Sequence, residues 1–83
     1  MIFEVELKPR AIKDLKHLQK VETLRIIQAL ELLKNDMGGD VKRLTNFTPE
    51  YRLRVGNYRV LFELTDDFRI IVYRIVHRRE AYR

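Results

Sequence analysis

The stretch Tyr51-Arg52-Leu53-Arg54-Val55-Gly56-Asn57-Tyr58-Arg59-Val60-Leu61-Phe62 decides the fold. Tyr51, Leu53 and Val55 alternate with Arg52 and Arg54, the period of a strand with one apolar face. Gly56-Asn57 is a two-residue turn of the kind that sends a strand straight back. Turn length then sets the register: Val55 opposes Tyr58, Arg54 opposes Arg59 and Leu53 opposes Val60, so the apolar face stays apolar across the hairpin. A second turn at Thr65-Asp66-Asp67 leads into a strand from Phe68 to about Val76. Read as a three-residue loop, it sets Leu64 opposite Phe68, Phe62 opposite Ile70 and Val60 opposite Val72, and it brings Tyr73 beside Arg59. A meander of three antiparallel strands is the expectation.

Upstream of the hairpin, Phe3, Val5 and Leu7 alternate with Glu4 and Glu6, which predicts a strand from Ile2 to Leu7. Pro9 suits the first turn of a helix, where its missing N–H costs nothing, and Ile12, Leu15 and Leu18 follow at helical spacing, so helix one should run from Pro9 to about Gln19. A second helical pattern starts near Val21, with Leu24, Ile27, Leu30 and Leu33 as its apolar stripe, and stops at Met37-Gly38-Gly39. The basic segment from Val41 to Pro49 reads as a connection. The expected architecture is a single α+β domain over residues 1–83: an N-terminal strand, a helical hairpin, then the three-stranded antiparallel meander, with the helices packed on one face of the sheet.

A chain of 83 residues supports one modest core. It has no cysteine, so no disulfide, thiolate metal site or thiol nucleophile is available, and no serine, which sets hydrolase triads aside. There is no phosphate-cradling glycine loop, and carboxylates and histidines do not cluster at ligand spacing, so neither a metal nor another cofactor is expected. The opening Met-Ile-Phe-Glu-Val-Glu-Leu is too short and too charged for a leader, and no apolar run approaches the roughly 20 residues of a spanning helix, so a cytoplasmic location is expected. Net charge is +5, and its distribution is uneven: residues 1–41 hold seven Lys/Arg against seven Asp/Glu, whereas residues 42–83 hold ten against five. That asymmetry suits a polyanionic partner, nucleic acid or an acidic protein, although solvated surface charge has the same composition.

The first hairpin puts Arg54 beside Arg59, with Arg52 two residues along the same face. Like charges directly opposite destabilise a sheet by a few tenths to about 1 kcal/mol, a cost that a bound anion would offset. Arginine suits that role, because its planar fork donates two parallel hydrogen bonds to phosphate oxygens and stays charged at any biological pH. Side chains splaying into water from an uncovered face would read the same way, and pattern alone does not separate the two. The chain ends His77-Arg78-Arg79-Glu80-Ala81-Tyr82-Arg83. His77 carries the one side-chain type that both donates and accepts a proton near neutrality, though a lone histidine at a strand end is more often structural. Tyr82 can stack on a base or orient a hydroxyl; it can equally patch the edge of the core. His17, among lysines, reads as a surface residue.

The run from Tyr51 to Glu63, taken with Val76-His77-Arg78-Arg79-Glu80-Ala81-Tyr82, resembles the RelE branch of the RelE/ParE toxin superfamily, and the order of elements and the length agree over essentially the whole chain. The resemblance implies the toxin component of a type II toxin–antitoxin system: a metal-independent, ribosome-dependent endoribonuclease that cuts mRNA in the ribosomal A site and is bound by a RelB-like antitoxin. By position it implies that Arg52 and Arg54 hold backbone phosphates, Arg59 stabilises charge on the scissile phosphate, and Arg78 and Tyr82 take part in proton transfer and in orienting the 2′-hydroxyl. Arg54, Arg59, His77, Arg78 and Tyr82 are therefore the candidate catalytic set, with Arg52, Lys42, Arg43 and Arg79 as further phosphate contacts. Arginine is a poor general base, which makes His77 the better acid/base candidate on chemical grounds. On a regular strand His77 shares the Arg54 face, and Arg78 joins it only if the strand bulges or ends near Val76. Two other readings keep the fold: a ParE-like gyrase-inhibiting toxin without nuclease chemistry, and a non-catalytic RNA- or ribosome-binding module.

Overall fold

A computed structural model describes residues 1–81; Tyr82 and Arg83 lie outside the described residues. Strand β1 (Glu4–Leu7) is followed by helices α1 (Pro9–Lys16) and α2 (Lys20–Lys34), and then by β2 (Asp40–Arg43), β3 (Tyr51–Val55), β4 (Tyr58–Leu64) and β5 (Arg69–His77). The five strands form one mixed sheet in the order β1-β5-β4-β3-β2. β1 runs parallel to β5 and every other pairing is antiparallel. Because β1 and β2 lie at opposite edges, the helical hairpin joining them must cross the whole sheet, and so it covers one face. Its core is Ala11, Ile26, Leu30 and Leu33 against Leu53, Val60, Phe62, Ile70, Val72 and Ile75.

The first hairpin has the expected register, Val55 with Tyr58, Arg54 with Arg59 and Leu53 with Val60. Gly56 supplies the left-handed φ of 57° that the first turn position needs. Other expectations are corrected. The segment from Val41 is not only a connection: it begins with β2, whose Lys42 and Val41 pair with Arg52 and Leu53. Helix α1 is shorter than expected, ending at Lys16, and Ile12 is exposed while Ala11 is buried. In α2 the buried stripe is Ile26, Leu30 and Leu33, whereas Leu24 and Ile27 of the expected stripe face outward with Val21 and Leu32. The helix is apolar nearly all round, so two overlapping stripes fit its sequence, and contact with the sheet selects between them.

The second hairpin also differs. Thr65 and Arg69 close its loop through the Thr65 N–H to the Arg69 carbonyl, which places Asp66, Asp67 and Phe68 in the turn, one residue later than expected. Phe68 sits in the left-handed region at φ 61°, the position glycine usually fills. Leu64 therefore pairs with Ile70 and Phe62 with Val72. This is a slip of two residues, which keeps every side chain on its predicted face. The next irregularity does not. The register shifts between Leu61 and Phe62, so that Phe62 pairs with Val72 but Leu61 with Arg74, leaving Tyr73 as the extra residue of a β-bulge. Beyond it Val60 pairs with Ile75, Arg59 with Val76 and Tyr58 with His77, and Tyr73 is not beside Arg59.

Asp14 secures that bulge. β1 ends at Leu7, opposite Val72, so the outer edge of β5 is open from Tyr73 onward. The Asp14 carboxylate, only 13% exposed, accepts the Ile75 N–H at 3.0 Å and two guanidinium N–H groups of Arg74 at 2.7 and 3.2 Å. These hydrogen bonds hold Arg74 above the ordinary guanidinium range, against a smaller opposing effect of burial.

Replacing Asp14 by alanine strips both the Ile75 N–H and Arg74 of their acceptor and is expected to lower unfolding stability by about 1–3 kcal/mol, read as the urea midpoint. Ile26→Ala should cost about 2–4 kcal/mol while Leu24→Ala stays within about 0.5 kcal/mol, and equal losses at the two positions would contradict the assigned stripe.

Candidate functional site: an arginine-rich sheet face

Alternation along β2, β3 and β4 sends Lys42, Arg52, Arg54 and Arg59 to the face that the helices leave open. Lys42 pairs with Arg52, and Arg54 with Arg59. Beside them is a second, smaller apolar cluster in which Leu61 of β4 and Val76 of β5 are covered by Ala81 and Phe47. The loop after β2 and the chain end beyond β5 thus fold over one end of the same face, leaving the arginines as its open part.

The like charges are managed by an acidic neighbour that sequence reasoning missed. Asp40 pairs with Arg54 in the β2–β3 register, and its position follows from β2, which was not foreseen. Arg52 Nη1 donates to the Asp40 carbonyl oxygen at 2.7 Å and to its carboxylate at 3.2 Å, and Arg54 Nε stands 3.8 Å from the other carboxylate oxygen. The Arg52 side chain is only 14% exposed, so it is held in place, whereas Arg54 is open to solvent at 59%. Arg59 takes another direction: its Nη1 donates to the carbonyl oxygens of Gly56 and Tyr58 at 3.0 and 2.9 Å, and it forms no ion pair among the described residues. The two paired arginines are thus adjacent in backbone register while their head groups engage different acceptors.

The remaining candidates divide. His77 is not with the arginines. The bulge at Tyr73 inverts the alternation of β5, so Val76 lies on the arginine face and His77 on the helical side, edge-on to Tyr58 at 5.5 Å and lining a cleft with the α1–α2 link. Arg78 follows the end of β5, outside its alternation, and its backbone N–H donates to Asn57 O at 2.8 Å beside the hairpin turn. Arg43 pairs with Tyr51, on the opposite face from Lys42, and its guanidinium lies 3.4 Å from Glu50 at the rim of a cleft of about 630 Å³ in the β2–β3 loop. Arg79 is exposed, with its N–H directed to His77 Nδ1. Tyr82 lies outside the described residues. Among the described residues no three carboxylate, imidazole or thiol side chains stand close enough to hold a metal ion, and no helix is long and apolar enough to cross a membrane. What this face offers is a set of fixed, permanently charged donors suited to a phosphodiester chain.

Asp40→Asn removes the carboxylate that occupies Arg52 and Arg54. It is expected to tighten binding of single-stranded oligonucleotides several-fold and to steepen the fall of affinity with salt, both read by fluorescence anisotropy over a salt series.

Comparison with known proteins agrees with this layout. Residues 5–82 match a family described as the ParE toxin of type II toxin–antitoxin systems. Two Methanocaldococcus jannaschii proteins are similar over most of their length: RelE1, 38% identical over 98% of this chain and 94% of its own, and the toxin RelE3, 37% identical over 86% and 85%. Among solved structures, the archaeal RelE–RelB complex from Pyrococcus horikoshii contains a chain that superposes with a TM-score of 0.79 at 25% identity, covering 98% of this chain and 100% of that one.

Proposed function

This chain belongs to the ParE toxin family of type II toxin–antitoxin systems, within the RelE/ParE superfamily, and from that premise we propose that it is an mRNA-cutting endoribonuclease acting on the ribosome. The observation that carries the reading is the Arg54–Arg59 pair on the open sheet face, flanked by Arg52 and Lys42. A row of guanidinium groups with this spacing suits successive phosphates of an RNA backbone. The relatives named RelE point the same way.

In the proposed reaction the ribose 2′-oxygen attacks its own 3′-phosphorus and gives its proton to solvent water, while the bond from phosphorus to O5′ breaks and O5′ takes up a proton from solvent. The products are a 2′,3′-cyclic phosphate and a 5′-hydroxyl. Arg59 faces the phosphorus and stabilises the negative charge that grows on its oxygens. Arg52, already immobilised by Asp40, and Arg54 hold neighbouring backbone phosphates with Lys42, and so keep the 2′-oxygen in line. Arg78, beside the same turn as Arg59, adds charge on the leaving side. Guanidinium groups supply charge and position, not proton transfer. Tyr82 is assigned the orientation of the 2′-hydroxyl, and Ala81 before it is seated on the arginine side. His77, behind the sheet, is not assigned a proton.

An acidic RelB-like antitoxin is the proposed partner, laid over this face so that its carboxylates replace the RNA phosphates. The solved relative seen together with RelB supports this. The description of the family itself favours one second reading, a ParE-like toxin directed at gyrase.

Toeprinting of a translated mRNA should show new 3′ ends at ribosomes in the presence of the protein. Arg59→Ala should cut about 10²–10³ times more slowly, and His77→Ala less than about 10-fold. Wild-type cutting by Arg59→Ala would remove this residue from the reaction, and double-strand DNA breaks without mRNA cuts would establish the gyrase reading instead. Reversing Arg52, Arg54 and Arg59 to glutamate should abolish tight antitoxin binding in calorimetry.

A further inference from the structure

At the end of the sheet, on the far side of the Gly56-Asn57 turn from the arginine face, lies a cleft of about 420 Å³. It is bounded by His17, Gln19 and Glu22 from the helix link and α2, and by Asn57, Tyr58 and His77 from the sheet. That size falls in the range of about 300–1,000 Å³ usual for small organic ligands. Its polar groups differ in kind. His17 Nδ1 lies 2.8 Å from the Lys13 carbonyl oxygen, which can only accept, so Nδ1 donates and Nε2 is the acceptor of the neutral ring. His77 Nδ1 accepts the Arg79 N–H at 3.3 Å, which leaves the ring proton on Nε2 as a donor. Glu22, half-buried, has no hydrogen bond or ion pair among the described residues. The edge-to-face Tyr58–His77 pair adds an aromatic wall.

Between this cleft and the arginine face stands the hairpin turn, and the guanidinium groups of two arginines from different elements reach it. Arg25 of α2 brings Nη1 to 3.2 Å from where a Cβ on Gly56 would sit. Arg59 Nη1 donates to the Gly56 carbonyl oxygen from the other side, and the Arg78 backbone is bonded to Asn57. None of these three arginines forms an ion pair among the described residues. A phosphate crossing the turn would therefore meet unneutralised charge on both sides, and a planar base attached to it would have a polar slot to enter.

Building on the ribonuclease reading, we infer that an RNA strand held by Arg52, Arg54 and Arg59 crosses the Gly56-Asn57 turn. There Arg25 takes a further phosphate, and the adjoining base lodges in the cleft between the helix link and His77. Gln19, Asn57 and Tyr58 can donate or accept, so the permanent acceptor that lacks a partner of its own among the described residues, the Glu22 carboxylate, with His17 Nε2 beside it in the lining, favours a base that carries an exocyclic amino group over uracil. Arg25 is thus an RNA-binding residue, and Glu22 sets base preference.

The chain has just two histidines, so its imbibed base can be followed through two imidazole signals in proton NMR. The probes are single-stranded tetranucleotides with every 2′-oxygen methylated, which blocks cleavage: all-adenine, all-uracil, and an abasic strand of the same length, each titrated at one fixed pH. The adenine strand should move both histidine signals, the uracil strand should bind about 10-fold more weakly, and the abasic strand should move neither. Arg25→Ala, at an exposed helix position and checked to melt as wild type, should bind several-fold more weakly with a salt slope lower by about 0.7, the value of one single-strand phosphate contact. Glu22→Gln should erase the preference against uracil. Unmoved histidine signals at saturation, no binding by any strand, or wild-type affinity in Arg25→Ala would overturn the inference. The toeprinting assay is scored separately: cutting with unmoved histidines removes the cleft and keeps the nuclease, whereas moved histidines without cutting keep the cleft as a base site and remove the nuclease.

Discussion

The structure depends on the Asp14 carboxylate closing the free edge of β5. Where β1 stops, β5 would present unpaired N–H groups, and Asp14 takes the one at Ile75 while gripping Arg74. This fixes the extra residue at Tyr73, and the extra residue inverts which side chains of β5 point where. Ile75 enters the main core opposite Val60, and Val76 crosses to the open face, where it seats Ala81 with Leu61. Without the inversion Val76 would face the helices and His77 would stand among the arginines. One carboxylate on a helix thus determines the composition of two surfaces on the far half of the sheet.

The open face shows how a sheet carries adjacent guanidinium groups before any ligand arrives. Three devices act together. Asp40 neutralises Arg52 and stands beside Arg54, the turn carbonyls of Gly56 and Tyr58 hold Arg59, and Arg54 is left largely in solvent. Each lowers the repulsion that directly opposed like charges would impose. None of them removes the net positive field of the face, because one carboxylate serves two arginines. An incoming polyanion finds Arg52 and Arg59 already in position and gathers only Arg54 from water, so less ordering entropy is lost on binding.

What could be read from the sequence follows from where information is local. Gly56-Asn57 fixes its own hairpin, because a two-residue turn leaves one register open, and the pairing of Arg54 with Arg59 came from that alone. The second turn was less legible, since Phe68 in a left-handed conformation is a residue no turn rule would nominate. That slip did no harm to the faces, being of two residues. The bulge did, and the carboxylate that holds the residues after it, Asp14, lies 60 residues before Arg74 along the chain, where no local pattern points to β5. β2 was missed for a related reason: Asp40-Val41-Lys42-Arg43 has one apolar residue in four, and it becomes a strand only because the edge of β3 is there to receive it. With β2 went Asp40, the residue that organises the arginines.

The hairpin turn itself is where these strands of reasoning converge. Its glycine is required for the left-handed φ of 57°, and the Arg25 guanidinium packs against it, 3.2 Å from where a Cβ would sit. A side chain there would displace the tip of Arg25 by a few tenths of an ångström. The nearness of the Arg25 guanidinium to the turn is what lets positive charge continue from the sheet face round to the helical side. The same closeness gives the cleft behind it a wall, Asn57 and Tyr58, that is rigid because it belongs to a paired strand and its turn. Charge that wraps an edge and a slot that opens beyond it are together the features that a chain polymer, with a phosphate at every step and a base beside each one, can occupy at once.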